Sequence, residues 1–288
     1  MTERVSSKDE VRAVVASARR EGKTVGFVPT MGALHEGHLS LVRAASSRCD
    51  VVVASIFVNP TQFSAGEDFE LYPRCEDADA KLLAADGVDL VWTPSVETMY
   101  AADAQVAVDP GPLAARWEGQ VRPGHFAGAA TIVAKLLNVV RPDLAFFGEK
   151  DYQQLVLVRR LVLDLDLGVG IVGCPIVRDP DGLALSSRNA YLTPEQRAAG
   201  LALPAALWAV ASEVMLGERG GRSLEAAMRK RVSEVAGADI VLDYAAIVDP
   251  VTLEQVVSVG TTARAIIAGR VGRTRLIDNI EITTPPGG

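Results

Sequence analysis

The sequence predicts an α/β chain, with a doubly wound parallel sheet in residues 1–176 and a smaller α+β domain in residues 177–288. Three observations predict it. Short continuous apolar runs, such as the β-branched 51–58, alternate with segments of helical period up to residue 173, as expected of strands covered on both faces by crossover helices. After about Pro175 the alternation gives way to two helical stretches and then strand-like runs, the order of an α+β unit. The chain has 288 residues, 49% apolar and 23% charged, enough for each part to bury its own core.

Ser7 opens a segment whose apolar positions Val11, Val14, Val15 and Ala18 share one helical face, and Gly22 follows as a stop. Residues 24–28 read as a short buried strand, 29–32 as a turn, and 37–47 as a helix through Leu41, Val42 and Ala45. The strand 51–58 leads into a polar loop over 59–74 with Pro60, Gly66 and Pro73, long enough to read as a substrate loop. A helix over 75–85 stops at Gly87, and a strand covers 88–93. Helix 127–140, strand 143–147, helix 151–163 and strand 169–173 complete the alternation. A turn at Asp179-Pro180-Asp181-Gly182 precedes helices over 194–216 and 224–235, and the last strands are 263–268 and 274–282. The terminal Pro285-Pro286-Gly287-Gly288 reads as a frayed end.

Composition excludes several classes. Lys and Arg total 29 against 36 Asp and Glu, a net charge of -7, so no general cationic surface favours polyanions and nucleic acid is not an expected partner. Residues 1–20 are charged throughout, so export is not expected. No membrane span is expected either: 51–58 is too short, and 201–216 contains Pro204, Ser212 and Glu213. Cys49, Cys75 and Cys174 are odd in number and far apart, which reads as reduced thiols in a cytoplasmic protein.

Two of the three histidines fall within Pro29-Thr30-Met31-Gly32-Ala33-Leu34-His35-Glu36-Gly37-His38. This segment leaves the carboxyl end of a predicted strand and enters a helix, where open α/β sheets bind ligands and a helix start favours an anion. His35 and His38 read as donors to phosphate oxygens, with Gly32 and Gly37 giving a nucleotide room to approach. The same spacing also fits two residues that merely finish a helix cap. Zinc is disfavoured because too few further ligands accompany them. A second strand-to-helix junction, Phe147-Gly148-Glu149-Lys150-Asp151-Tyr152-Gln153-Gln154, offers Lys150 to a phosphate, although a charged first turn is the plainer reading. In Leu185-Ser186-Ser187-Arg188-Asn189, two hydroxyls and a guanidinium suit a polyphosphate, though such a loop alone is commonplace. No Gly-x-x-x-x-Gly-Lys phosphate loop, Gly-x-Gly-x-x-Gly dinucleotide loop at this position or Gly-x-Ser-x-Gly elbow accompanies them.

The histidine segment resembles the His-x-Gly-His signature of the nucleotidyltransferase superfamily, and Leu185 to Asn189 resembles its Lys-Met-Ser-Lys-Ser counterpart. More closely, the chain resembles the pantoate-β-alanine ligase family. Further matching segments are Phe57-Val58-Asn59-Pro60-Thr61-Gln62-Phe63, Tyr72-Pro73-Arg74, Arg122-Pro123-Gly124-His125-Phe126, Gly148 to Gln154, and Gly272-Arg273-Thr274-Arg275-Leu276-Ile277-Asp278-Asn279. Their order spans nearly the whole chain.

The resemblance implies a Rossmann-like ATP- and pantoate-binding domain, followed by a domain whose Ser-Ser-Arg loop closes over ATP. It implies ATP-dependent joining of (R)-pantoate to β-alanine through a pantoyl adenylate, with Mg²⁺ and a homodimer. It places ATP against Pro29, Met31, Gly32, Ala33, Leu34, His35, Glu36, Gly37 and His38. Gly148, Glu149, Lys150, Asp151, Val177, Leu185, Ser186, Ser187 and Arg188 complete that site. Gln62 and Gln154 would bind pantoate, and Gln62 also β-alanine. His38, His35, Lys150 and Arg188 would be catalytic, His38 at the proton-donor position. Leu137 and Ala129 depart from the family pattern as packing changes, and Ala78 within Glu76-Asp77-Ala78-Asp79 leaves the protein ligands of Mg²⁺ unassigned. Three other readings share parts of the pattern: another nucleotidyltransferase, an aminoacyl-tRNA synthetase, and a noncatalytic nucleotide-binding regulator.

Overall fold

A computed structural model describes residues 2–64, 67 and 69–285. Gly66 of the polar loop and Pro286 to Gly288 of the Pro-Pro-Gly-Gly end therefore lie outside the described residues. The chain divides into two compact units, one of residues 1–149 and 153–175, the other of 150–152 and 176–288.

The first unit is built on a six-stranded parallel sheet. Its elements in chain order begin with β1 (Glu3–Val5), α1 (Lys8–Arg20), β2 (Val25–Thr30), α2 (Glu36–Ser46) and β3 (Val51–Ile56). Next come α3 (Glu76–Ala85), β4 (Leu90–Trp92), α4 (Val96–Met99), α5 (Glu118–Val121) and α6 (His125–Val140), and finally β5 (Leu144–Gly148), α7 (Tyr152–Asp164) and β6 (Gly170–Cys174). Ser7 caps α1 through a capping box with Glu10, the local signal that starts the helix. Val28, Val52, Ala54, Ile56 and Phe146 of the sheet pack with Leu41, Val42, Ala45 and Leu83 of α2 and α3. Burial of both sheet faces explains why β2 and β3 are continuous apolar runs.

Strand order is β1-β4-β3-β2-β5-β6. The chain leaves β2 toward β3 on one side and later returns to place β5 on the other. That reversal is a topological switch point, and ligands of open α/β sheets bind outside the carboxyl ends of the strands there. The edge strand β1 is not among the expected elements. Its three residues include Glu3 and Arg4, so no apolar pattern marks it, and Arg4 is held by Glu76 and Asp77.

The second unit carries α8 (Pro194–Gly200), α9 (Ala202–Met215), α10 (Gly221–Ala236), β7 (Ile240–Val248), β8 (Thr262–Val271) and β9 (Thr274–Thr283). The strands form an antiparallel sheet in the order β7-β8-β9. The expected helix over 194–216 is two helices, because Leu201 interrupts it. Pro204 has no amide to donate to the Gly200 carbonyl, so the hydrogen-bond ladder breaks there. Pro194–Met215 together is long and apolar enough to cross a membrane by length and composition. Ala202, Leu203, Ala206, Leu207, Val210 and Val214 nevertheless form the core of this unit with Leu224, Met228 and Ile267, which is the pattern of a core helix. Cys49, Cys75 and Cys174 are free thiols, half-buried, exposed and buried respectively.

Candidate active site

The segment after β2 reaches the switch point through two residues of positive φ, Gly32 at 81° and Ala33 at 51°. Glycine is required at 32: an added Cβ would lie 2.9 Å from Asp79 Oδ2 and 3.1 Å from Ile56 Cγ2. Ala33 has a Cβ, so its conformation is strained and must be imposed by its surroundings. Asp79 imposes it. This α3 carboxylate, only 2% exposed, accepts hydrogen bonds from the backbone amides of Ala33 at 2.8 Å and Leu34 at 2.9 Å. Thr30 adds a brace, donating to the Ser55 carbonyl and accepting from Gly32 N–H.

Asp79→Ala would leave two inward amides without their acceptor and is expected to destabilise the protein by about 2 kcal/mol or more. The same variant should weaken ATP more than β-alanine, because the loop at stake is the one expected to face the phosphates. Chemical denaturation and equilibrium binding of the two ligands check both effects.

His35 and His38 cap each other's helix turn. His35 is the N-cap of α2 and its Nδ1 accepts from Gly37 N–H at 3.2 Å, while Nδ1 of His38 accepts from His35 N–H at 3.3 Å. The rings lie 4.2 Å apart, centroid to centroid. An Nδ1 that accepts leaves the proton of a neutral imidazole on Nε2. With Nδ1 turned to the backbone, each ring directs its Nε2 edge away from the cap. Capping and phosphate donation are thus compatible, one ring nitrogen serving each. Glu36 is exposed and its carboxylate pairs with Arg43, so this position offers an anion its amide at the helix start rather than its side chain.

Gln62 is drawn to this loop. Its Nε2 donates to the Met31 sulfur at 2.8 Å and its Oε1 accepts from Asn59 Nδ2 at 3.2 Å. Asn59, 1% exposed, also donates to the Gly128 carbonyl and accepts from Tyr100 and Thr61 hydroxyls. A Cβ at Gly128 would run into the Thr61 carbonyl, so glycine lets α6 lie directly against this turn. His125, 7% exposed, closes the far side: its Nδ1 donates to the Gln62 carbonyl at 2.7 Å, and Arg122 Nη1 lies 3.1 Å from its Nε2. Arg122 is in turn held by both carboxylate oxygens of Glu67 at 2.7 Å and contacts Glu118.

Burial, reinforced by the Arg122 charge, pushes the His125 pKa below the ordinary value; the Gln62 hydrogen bond and the Glu118 and Glu67 charges only partly oppose this. Burial pushes Glu67 upward, but the Arg122 hydrogen bonds and charge outweigh it and hold the carboxyl below its usual range. The unfolded chain protonates His125 near its ordinary pKa of 6.5, and the folded chain only at lower pH. The unfolded state thus binds more protons in between, so this stability is fully present above about pH 6.5 and is lost on acidification. Urea unfolding between about pH 7.5 and pH 5.5 should show a falling midpoint, with a shallower fall in His125→Gln.

Gly148 ends β5, which lies between β2 and β6 in the sheet, and Glu149 follows it in the first unit. Gln154 is half-buried in the first turn of α7. The adjacent Gln153 is buried for a structural reason, bonding Glu118 N–H and the Leu113 and Arg116 carbonyls. Lys150 and Asp151 group with the second unit. In that unit Leu185 N–H donates to the Val177 carbonyl at 3.0 Å, bringing together two expected ATP residues across the 178–184 hairpin. Ser186 caps the following turn by accepting from Arg188 N–H at 3.3 Å, and Asn189 ties that turn back to the Ala184 carbonyl. Ser186, Ser187 and Arg188 are each half-buried.

Asp79 and Asn59 carry no role in the sequence reading, although each organises an expected site segment. Asn59 stood in a matching motif, and its position at the strand end was a signal. Asp79 gave none, because an acidic residue in a first helical turn is ordinary.

The histidine-capped loop thus lies at the switch point of a doubly wound sheet, the place where such sheets bind ligands. A profile of the family described as pantoate-beta-alanine ligase matches residues 3–281. A pantothenate synthetase of Rubrobacter xylanophilus is 53% identical over 283 residues, covering 95% of this chain and 96% of that protein. The crystal structure of pantothenate synthetase from Thermus thermophilus superposes with a TM-score of 0.93 at 47% identity, covering 99% of this chain and 100% of that one. A Francisella tularensis pantoate-beta-alanine ligase, complexed with beta-gamma ATP and beta-alanine, superposes with a TM-score of 0.77 at 33% identity, covering 97% of both chains. The chain belongs to the pantoate-β-alanine ligase family. It condenses (R)-pantoate with β-alanine at the expense of ATP, giving pantothenate, AMP and diphosphate.

Proposed function

We propose that ATP is bound by Pro29, Met31 to His38, Gly148 to Asp151, Val177 and Leu185 to Arg188, with pantoate on Gln62 and Gln154 and β-alanine beside Gln62. The observation that carries this reading is the mutual His35–His38 cap at the sheet's switch point, which holds both rings by Nδ1 and leaves both Nε2 edges to donate. In the first step a pantoate carboxylate oxygen attacks the α-phosphorus, the α–β bridge breaks, and diphosphate leaves as the pantoyl adenylate forms. Two anions must meet, so the rate depends on donors and cations already in place where charge grows. His35, His38, Lys150 and Arg188 supply them. His38 Nδ1 serves the cap as an acceptor, so Nε2–H is the edge His38 offers as a hydrogen-bond donor to the phosphate oxygens.

In the second step the neutral β-alanine amine attacks the acyl carbon, the nitrogen gives one proton to solvent, the C–O bond breaks, and AMP leaves with the former carboxylate oxygen. The Met31–Gln62 contact supports placing the carboxylic substrate beside the histidine loop. Among the described residues no group of three or more His, Cys, Asp or Glu is placed to hold a metal. Mg²⁺ would accordingly arrive on the triphosphate, as this ion commonly does, and supply charge neutralisation there. The protein's part is the donor set above. A homodimer, implied by the family resemblance, and a cytoplasmic location, in keeping with the three free thiols, complete the proposal.

The test is AMP and pantothenate formation with Mg-ATP, (R)-pantoate and β-alanine, omitting each substrate in turn. Stoichiometric AMP and pantothenate with all three is the expected result. ATP binding without AMP under any combination would overturn it.

A further inference from the structure

The segment 272–279 matches the family pattern but has no part in the reaction as described. Its last residue, Asn279, is buried at 3% exposure, and both ends of its amide are engaged. Asn279 Nδ2 donates to the Lys150 carbonyl at 2.9 Å, and its Oδ1 accepts from Arg264 Nε at 2.7 Å. Arg264 is itself 4% exposed and lies over the Tyr152 ring at 4.0 Å. The preceding residue fixes the frame: Asp278 Oδ1 accepts from Asn279 N–H, and its carboxylate binds Arg178 through both nitrogens at 2.6 and 2.9 Å. Arg178 also donates to the Gly182 carbonyl of the hairpin that leads to Ser186 and Arg188.

We propose that Asn279 is a positioning residue for Lys150. The Lys150 carbonyl lies in the single turn Glu149–Asp151 between β5 and α7. Holding it fixes the plane of the 150–151 peptide, and with it the direction in which the Lys150 Cα–Cβ bond leaves the backbone. A lysine ammonium sits on a flexible four-carbon stem, so fixing its root narrows the volume the charge samples. The two neighbouring side chains divide the work: the Asn279 amide reaches the Lys150 carbonyl, while the Asp278 carboxylate orients the backbone from which that amide projects. The proposal rests on the reading of Lys150 as a phosphate-facing cation.

Asn279→Asp isolates the role. The carboxylate keeps the acceptor for Arg264 and the shape of the side chain, but it sets an oxygen against the Lys150 carbonyl in place of a donor. Diphosphate release is measured in a single turnover with Mg-ATP and pantoate, without β-alanine, for the wild type, Asn279→Asp, Lys150→Ala and the double variant. Asn279→Asp is expected to slow release about tenfold or more, the scale of a small misplacement of a catalytic group. Added to Lys150→Ala, it should slow release by less than about twofold, because the two act through one ammonium. In steady state kcat/KM for β-alanine should be unchanged, because aminolysis follows the slowed step. A wild-type rate for Asn279→Asp, or the same fold-loss in both backgrounds, would overturn the proposal. A wild-type rate for Lys150→Ala would instead remove the Lys150 reading, and the proposal with it. If thermal melting shows Asn279→Asp unfolded, Asn279→Ser, whose hydroxyl falls short of the Lys150 carbonyl, decides by the same outcomes.

Discussion

Replacing His38 by alanine is expected to slow pantoyl adenylate formation about 10²-fold or more, the usual loss when a fixed donor to developing charge is removed. The side chain has two functions, so the variant should also lose about 1 kcal/mol of stability with the Nδ1 acceptor of the α2 cap. Two further substitutions separate them. Asparagine carries an oxygen near the Nδ1 position and should keep the cap while losing the donor. Glutamine carries an amide nitrogen near the Nε2 position and should keep part of the rate while losing the cap. Single-turnover kinetics and thermal melting of the three variants read the two functions independently. Adenylation at the wild-type rate in the folded alanine variant would remove His38 from the chemistry.

Lys150→Ala should have a comparable effect on the same step and little on the second. In the adenylation step negative charge accumulates on the leaving diphosphate and the α-phosphate together, and one fewer cation there raises the barrier directly. Losing one such electrostatic contact costs about 10²–10³ in rate in comparable sites. Aminolysis of a preformed adenylate by β-alanine involves no triphosphate, so it should proceed within a fewfold of the wild type. Rapid-quench measurement of the two half-reactions distinguishes a phosphate-facing lysine from one that merely shapes the turn, which would slow both alike.

The histidine loop was legible in the sequence because rarity, glycines and a strand-to-helix junction coincided in ten residues. What holds it was not. Asp79 acts across 46 residues of sequence, and its bonds to Ala33 and Leu34 depend on how α3 packs beside α2. The parallel sheet followed from continuous apolar runs, whereas β1, three residues with two charges, joins the edge only because β4 offers it a partner. Pro204 was noted as a flaw in a long apolar stretch, but its actual effect is to part α8 from α9. Cap and ligand readings of His35 and His38 looked like alternatives in sequence because spacing does not reveal which ring nitrogen faces the backbone. Asn279 stood in a matching segment, but nothing local pointed to its partner, since Lys150 lies 129 residues away.

On the proposed route the carboxylate of pantoate becomes bonded to the α-phosphorus before the amide forms. Pantoate labelled with ¹⁸O in its carboxylate tests it in one turnover. The adenylate route carries one labelled oxygen into AMP, because the oxygen that attacked phosphorus leaves with AMP when the amine takes its place. Mass spectrometry should therefore find AMP with one ¹⁸O and pantothenate retaining the other in its amide carbonyl. Unlabelled AMP, with the label in diphosphate or water, would contradict the account.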